Sequence, residues 1–335
     1  DHDCPYAMLT PASRVFHGAA LKLRRIPFWL AATVLIVVAF VGVGGWYYYT
    51  TSNRILWTMV HVSGDRYSGD AHLLEFPDGH VVLIDTGFDH FTRGALIPYL
   101  DDRGIDHIDQ LIITHAHRNH YGGVVSLIDH LKHIGEIYFN LPPKSQCDKE
   151  TWSTGCDYQH VLQTRQAIEK AGVPIHDLAT DDVLYNNDKQ DIILEVVHVH
   201  DGVSKPIGRT DINDTSAVLR LVYGRTKVLF AGDLNRKGGD YLVDQNFVLK
   251  SDILTAPHHG VESAASNRFL NAADPQVLMV SNSAGEWQGA RGARMRRFAA
   301  DHHIPAYVTG LNGNVVVTLK RDGFTVDPQH QAGGD

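Results

Sequence analysis

The sequence predicts an α+β domain in which helices cover the outer faces of two mixed β-sheets. Three observations predict it: β-rich runs joined by a tight turn open the domain, apolar strands then alternate with helices, and several strands end in Asp or His. Early hairpins followed by alternating units favour mixed sheets over a purely parallel one. We place this domain at residues 54–325 and interpret residues 326–335 as a polar tail.

The individual elements follow from β-rich runs, helical periodicity and turn residues. In the first half we predict strands at 55–62, 70–76, 80–85 and 108–114 and helices at 91–104 and 121–135. In the second half we predict strands at 191–200, 215–224, 226–233, 251–260, 276–281, 305–310 and 314–320, with helices at 265–274 and 290–303. The PDG sequence at 77–79 is a turn signal, and Gly104 is well placed to end its helix.

Composition narrows the possible functions. A formal net charge of −8 argues against a broad basic surface for nucleic acid, although a local basic patch is compatible with it. The 21 histidines are numerous for 335 residues. Histidine is the most common metal ligand and also titrates near neutral pH, and we expect most of these side chains to be solvated surface residues.

Residues 28–49 carry no charge and are long enough to cross a bilayer core of roughly 30 Å as a helix. Trp29 and the aromatic run at 46–49 mark the two ends, as interfacial aromatic belts do. We favour a retained transmembrane anchor. A cleaved signal peptide is the alternative, but no small-residue cleavage site is evident.

Basic residues are more frequent before this segment than after it, which predicts a short cytoplasmic segment at 1–27 and an extracytoplasmic domain. The protein is then a single-pass protein of the cell (inner) membrane. Cys147 and Cys156 bracket a short polar loop that a disulfide would close in an oxidising compartment. Two free thiols are an equally good interpretation of that pair.

The stretch LIITHAHRNHYGG at 111–123 places His115, His117 and His120 directly behind an apolar strand. A turn after the strand would direct the first two side chains together while the third approaches from the next helix. A run of surface or helix-capping histidines is the alternative. Other strands, however, also end in ligand-type residues, at Asp85 in VLIDTG, at Asp233 in VLFAGD and in the pair 258–259 of LTAPHHG. Loops that converge in this way typically build a metal centre.

These residues resemble the metallo-β-lactamase fold superfamily, a four-layer αββα sandwich, over residues 56–320. The stretches SGDAHLLEFPDGHVVLIDTG, INDTSAVLRLVYGRTKVLFAGD and APHHGVESAASNRFLNAADPQVLMVS look like the extracytoplasmic hydrolase domain of the DNA-internalisation competence protein, the ComEC type. The resemblance implies one or two Zn²⁺ ions, with Mn²⁺ as an alternative, and a phosphodiesterase that acts on DNA.

The resemblance also assigns roles to individual residues. His115 and His117 would hold one metal, His120 and His258 a second, and Asp233 would bridge them; Asp85 and His259 would support these ligands, and either His198 or His200 would be a further ligand or a plain strand histidine. Asp233, His120 and Asn119 would lie closest to the chemistry.

Asn119 departs from the superfamily pattern H-x-H-x-D-H, in which its position holds an acid. An amide oxygen is a neutral, weaker ligand and cannot act as a general base. We therefore expect weaker occupancy of the second metal position, with slower or single-metal catalysis. Three functions remain open: a phosphodiesterase, a hydrolase of another ester, thioester or lactone, and a catalytically weakened binding module.

Phosphate contacts have a candidate in ARGARMRRF, since Arg side chains match phosphate oxygens. This stretch contributes Arg291, Arg294, Arg296 and Arg297. A solvated helix face is the alternative for these four residues. The G-H-P-like stretch that the competence-type domain has before its last helix is missing here, where the chain reads SNSAGEWQG.

Overall fold

Two β-sheets form the centre of the domain in the computed structural model, which describes residues 53–331 except 66, 153 and 206. The strands are β1 Ile55–Met59, β2 His72–Glu75, β3 Val81–Ile84, β4 His107–Ile113, β5 His133–Phe139, β6 Ile175–His176, β7 Val183–Asn187, β8 Ile192–His198, β9 Val218–Tyr223, β10 Thr226–Phe230, β11 Ile253–Thr255, β12 Val277–Val280, β13 Ala306–Val308, β14 Val315–Lys320 and β15 Gly323–Pro328. The first sheet has the strand order β15-β14-β1-β2-β3-β4-β5-β6, and the second has the order β13-β12-β11-β10-β9-β8-β7.

Both sheets are mixed. Strands β3 to β6 run parallel to one another, whereas β15, β14, β1, β2 and β3 pair antiparallel. In the second sheet β10 to β13 are parallel, and β7 to β10 are antiparallel. The prediction of an α+β domain with two mixed sheets is confirmed.

Three hydrophobic clusters separate the layers of the domain. One lies between the two sheets and contains Trp57 from β1 and Phe230 from β10. A second joins the first sheet to the helices Asp89–Phe91, Thr92–Leu96 (π-helical), Ile97–Asp102, Arg118–Tyr121, Val124–His130, Lys144–Cys147 and Tyr158–Lys170. The third joins the second sheet to the helices Arg236–Asp244, Asn267–Ala273, Ala284–Gln288, Ala293–Asp301 and Thr309–Asn312. Short 3₁₀ segments lie at Asn213–Thr215 and Pro257–Gly260.

The helix predicted at 121–135 is wrong at its C-terminal end, because the helix stops at His130 and β5 begins at His133. Residues 133–135 continue the helical pattern of the sequence, but they form a strand because they pair in parallel with β4. A Cβ at position 135 would lie 2.5 Å from the Asp109 carbonyl oxygen, so Gly135 permits the two strands to approach. The final strand, β15, reaches into the segment that we interpreted as a tail.

The predicted transmembrane segment at 28–49 lies outside the described residues. Within the part of the chain that the structure describes, no helix has both the length and the apolar character needed to cross a bilayer. Cys147 and Cys156 form a disulfide, with their Cα atoms 4.9 Å apart. The structure therefore selects the disulfide from the two interpretations of this pair.

Candidate metal centre

Five loops bring the candidate ligands to one edge of the two sheets. Asp85 follows β3, the histidine cluster at 115–120 follows β4, Asp233 follows β10, and the pair 258–259 follows β11. Strands β3 and β4 are parallel neighbours, as are β10 and β11, so their carboxyl ends meet at the same edge. Asp70 enters this edge from the segment before β2.

Asp233 lies at the centre of this edge, and its two carboxylate oxygens face different histidines. Oδ2 lies 3.7 Å from Nε2 of His115 and 3.7 Å from Nε2 of His258. Oδ1 lies 3.3 Å from Nε2 of His120 and 3.4 Å from Nε2 of His259. One carboxylate thus divides the ligands into two groups.

The first group, called the His115 group, comprises His115, His117 and His258 around Oδ2 of Asp233. Nε2 of His115 lies 3.1 Å from Nδ1 of His117, and these two side chains and Asp233 place ligand atoms within 4.8 Å of one another. Two imidazole ligands of one zinc ion, each roughly 2.1 Å from it, are separated by a similar distance.

The second group, called the Asp70 group, comprises Asp70, His120 and His259 around Oδ1 of Asp233. Their ligand atoms, with that of Asp233, all lie within 4.8 Å of one another. Sequence reasoning missed Asp70, although it is the acid in the SGDAHLLEF stretch. The signal for it is the glycine–acid pair at the start of a strand, whereas the predicted ligands are acids and histidines that follow strands.

The structure exchanges the two positions expected for His258 and His259. His258 faces the same carboxylate oxygen as His115, whereas the sequence interpretation grouped it with His120. His259, expected to support the ligands, faces the oxygen that His120 faces.

Each of the five histidines also has a polar partner outside the two groups. Ser216 Oγ lies 3.1 Å from Nδ1 of His115, and Glu150 Oε2 lies 2.6 Å from Nε2 of His117. Asp85 Oδ2 lies 2.8 Å from Nδ1 of His120, and Asn235 Oδ1 lies 2.8 Å from Nδ1 of His258. The Asn119 amide lies 3.0 Å from Nε2 of His259, the nitrogen that also faces Asp233. Metal-binding histidines almost always have such an outer partner, which fixes the ring and its tautomer.

Among the side chains of the two groups, three buried atoms have no hydrogen-bond partner in the described part of the chain: Nε2 of His120, Nδ1 of His259 and Oδ1 of Asp233. Buried polar groups normally have partners, because leaving one unpaired costs about 1–3 kcal/mol. All three belong to the Asp70 group with its bridging acid. A divalent cation would satisfy them together, so the residues fit a metal.

The two acids of these groups, Asp233 and Asp70, are surrounded by histidines that lower their pKa values. Burial would raise the pKa of Asp233, but the nearby charges of His259 and His120 outweigh it and hold that pKa well below the usual range. Burial likewise opposes ionisation of Asp70, and His259 and His72 lower its pKa. Both carboxylates are therefore charged at neutral pH and available to a cation.

Backbone strain is concentrated at this edge. Asp85, His258 and His259 have φ angles of 60°, 46° and 54°, in the left-handed region that non-glycine residues rarely adopt. Each such residue costs about 1–3 kcal/mol and persists where the surrounding structure enforces it. The strain turns both histidines of the β11 loop toward Asp233.

Asp85 supports the cluster from behind. Its Oδ1 accepts the Thr114 N–H at 2.8 Å, and its Oδ2 accepts the Thr114 hydroxyl at 2.7 Å besides facing His120. Asp85 therefore lies behind His120, on the side opposite to Asp233, and its supporting role stays a prediction.

His198 and His200 lie outside both groups. The His198 ring packs against Tyr241 and Phe247, with ring centroids 5.4 and 5.3 Å away. Nε2 of His200 lies 3.0 Å from the Gly208 carbonyl oxygen. Neither residue belongs to a cluster of candidate ligands in the described part of the chain, whereas Nε2 of His258 faces Asp233.

A cavity of about 460 Å³ opens over the two groups. Asn119, His117 and the β11 loop line its floor, and the side chains of Tyr67 and Trp152 are about half exposed at its wall. Among the four arginines, Arg291 lines the cavity and pairs with Glu286.

Two of the other arginines are engaged elsewhere. Arg294 donates to the carbonyl oxygens of Ala264 and Ala265, and Arg296 donates to that of Gly289. These contacts hold loops together. Arg297 is exposed, and of the four arginines Arg291 is the one that lines the cavity.

Known proteins resemble this chain in sequence and in fold. Residues 64–138 match the family described as Metallo-beta-lactamase superfamily. ComE operon protein 3 of Bacillus subtilis (strain 168) is 26% identical over 241 residues, which cover 70% of this chain and 28% of that protein. Competence protein ComA of Neisseria gonorrhoeae is 26% identical over 270 residues, covering 77% of this chain and 32% of that protein. The chain thus spans about a third or less of the length of these relatives.

A solved structure has the same fold. The metallo-beta-lactamase fold protein YhfI from Bacillus subtilis superposes with a TM-score of 0.50 at 13% identity, covering 80% of this chain and all of that one. The chain therefore carries a metallo-β-lactamase fold domain and is related through it to ComEC-type competence proteins.

Proposed function

We propose that this protein is a metal-dependent hydrolase that cleaves phosphodiester bonds. The observation that carries the proposal is Asp233, whose two oxygens face two separate groups of ligands. Two-metal sites of this kind serve phosphoryl transfer and hydrolysis, because a metal pair stabilises both the attacking and the leaving oxygen. Zn²⁺ suits imidazole and carboxylate donors, and Mn²⁺ is the alternative.

The residues of the chain have separate tasks in this reaction. The His115 group and the Asp70 group would each hold one ion, with Asp233 shared between them. Arg291 lies at the cavity with its guanidinium partly exposed, which suits a phosphate oxygen. Tyr67 and Trp152 offer aromatic faces on which bases stack without sequence preference. The competence names of the two relatives favour DNA as the substrate.

A hydrolase of a small ester, thioester or lactone is the second candidate. The cavity of about 460 Å³ is in the range of small-molecule sites, and the net charge of −8 does not attract a polyanion. A weakened binding module is the third, since Asn119 lacks the carboxylate of the motif.

We also propose that residues 28–49 anchor the chain in the cell (inner) membrane, with the domain on the extracytoplasmic side. The uncharged segment supports an anchor, and the Cys147–Cys156 disulfide supports an oxidising compartment. An Asp102→Cys variant tests on which side of the membrane the domain lies, because Asp102 is exposed. Intact cells that carry this variant are labelled with a membrane-impermeant thiol reagent. Absence of labelling before lysis would contradict the extracytoplasmic placement.

The activity test compares substrates on the full chain purified in detergent micelles. Single-stranded DNA, with Zn²⁺ or Mn²⁺, is assayed beside a panel of p-nitrophenyl esters, thioesters and lactones, and His115→Ala is the inactive control. We expect DNA cleavage that His115→Ala abolishes. Ester cleavage without DNA cleavage would establish the second candidate, and no turnover at full metal content would establish the third.

A further inference from the structure

We propose that Asp70 supplies the carboxylate that the motif lacks at Asn119, as a direct ligand of the ion in the Asp70 group, and that Asn119 instead positions His259. The inference rests on the proposed metal binding and deepens it. It turns the departure from the superfamily pattern into an exchange of roles between two neighbouring side chains.

The backbone of Asp70 lies directly against that of Asn119. The Asp70 N–H donates to the Asn119 carbonyl oxygen at 3.2 Å. Gly69 permits this approach, because a Cβ there would lie 2.9 Å from the Val62 carbonyl oxygen and 3.1 Å from that of Asn119. A carboxylate at position 70 therefore enters the centre beside the place where the motif would put its own acid.

The Asp70 carboxylate is oriented but retains capacity for a ligand bond. Its oxygens lie 3.6 Å from Nε2 of His72, 3.8 Å from Nδ1 of His259 and 3.8 Å from Nδ1 of His120. All three distances exceed those of a good hydrogen bond. Of these atoms, Nδ1 of His259 is the one without a hydrogen-bond partner, and its distance from Asp70 is close to the spacing of atoms that share one cation, since donors roughly 2.1 Å from an ion are about 3.4 Å apart. Nδ1 of His120 is held by Asp85, so His120 would offer Nε2.

A second chain of contacts fixes Asp70 from behind. The indole N–H of Trp57 faces Nδ1 of His72 at 3.4 Å, which leaves the proton of that imidazole on Nε2, toward Asp70. Trp57 and His72 are both buried. The His72 imidazole thus lies within ion-pair range of Asp70 and presents an N–H toward it, as outer partners of ligating carboxylates do.

Asn119 has a different contact. Its amide lies 3.0 Å from Nε2 of His259, whose Nδ1 is buried without a hydrogen-bond partner among the described residues. The amide oxygen and nitrogen are isosteric, so a half-turn lets the oxygen accept the Nε2 proton. His259 then offers Nδ1 as an unprotonated donor toward the Asp70 group.

The experiment measures zinc bound per full-length chain after equilibrium dialysis, by mass spectrometry of the metal. Wild type, Asp70→Asn, Asn119→Asp and the double variant are compared, with Asp102→Asn as the matched control at an exposed helix end. We expect two ions in wild type and control, one in Asp70→Asn, and two again in the double variant, where the carboxylate is restored at position 119.

The outcomes separate this inference from the proposed function. Wild type without bound metal would overturn both. Two ions in wild type and two, bound equally tightly, in Asp70→Asn would overturn the role of Asp70 alone, and a double variant that stays at one ion would overturn the exchange. Should Asp70→Asn not fold, Asp70→Glu is titrated instead, with the affinity for the second ion expected to fall at least tenfold; an unchanged affinity would contradict the proposal.

Discussion

The His115 group and the Asp70 group share Asp233 but are built differently. The His115 group takes all its other members from the two histidine motifs, and one of its histidines is supported by Glu150 from the disulfide loop. The Asp70 group takes its second acid from the segment before β2, where His72 and Trp57 lie behind Asp70. If Asp70 is a ligand as we propose, the substitution at Asn119 does not remove the second site, because a neighbouring backbone places another carboxylate there.

The largest effect is expected from Asp233→Asn, because this residue belongs to both groups. Loss of a supporting partner costs 10–100-fold in metal affinity, so loss of a shared ligand should exceed roughly 100-fold for both ions. Isothermal titration with Zn²⁺ measures this. Loss of one ion with normal binding of the other would show that the groups do not share this acid.

Glu150→Gln tests the His115 group alone. The Glu150 carboxylate lies 2.6 Å from Nε2 of His117 and also accepts the N–H groups of Cys156 and Ile212. We expect the affinity for the ion in the His115 group to fall roughly 10–100-fold, while the affinity for the ion in the Asp70 group is unchanged. Glu169→Gln, at an exposed helix position, is the control. Equal weakening of both ions would contradict the division into two groups.

Removing the disulfide, as Cys147→Ser with Cys156→Ser, should act on the same group more weakly. The bridge closes the loop that contains Glu150, and its loss should lower the free energy of unfolding by about 2–3 kcal/mol. Since Glu150 keeps its contact with Ile212, we expect only a few-fold loss of affinity for the ion in the His115 group. Denaturant unfolding measures the loss of stability, and zinc titration on the same sample measures the loss of affinity. A loss of zinc affinity larger than that of Glu150→Gln would contradict the expectation that the disulfide acts more weakly.

The smallest effect on the metals is expected from His198→Phe. Burial lowers the pKa of His198 to about 4, so the unfolded chain binds a proton there that the folded chain excludes. Its contribution to stability is therefore present above pH 6.5 and is lost as the pH falls from about 6.5 to 4. We expect the variant to lose less stability than wild type over this range, with unchanged zinc content. A lowered zinc content would indicate that His198 is a metal ligand.

Much of the fold was predictable because strand patterns and turn residues are local signals. Strands β3, β10 and β11 end where their apolar runs end, and their polar terminal residues predicted one common edge. Strand β5 was not predictable in this way, since its residues continue a helical pattern and only pairing with β4 makes them a strand. The helix Tyr158–Lys170 and strand β15 were missed because their apolar periodicity is weak.

The candidate site was predictable as a set of residues but less so as an arrangement. Sequence order cannot tell which of the adjacent residues His258 and His259 faces which group, because their left-handed φ angles decide it. Asp70 and Glu150 were missed since each reaches the site from a loop with no histidine motif of its own. The ligand role expected of His198 or His200 depended on strand alternation, whereas the histidine that faces the same Asp233 oxygen as His115 comes from the β11 loop.

The most direct test of the account is anomalous diffraction at the zinc edge from crystals of the zinc-loaded protein. Our account predicts two peaks roughly 3.5–4 Å apart, one bonded to His115 and His117 and the other to Asp70 and His120, with Asp233 reaching both. A single peak, or a second peak bonded to Asn119 with Asp70 turned away, would contradict it.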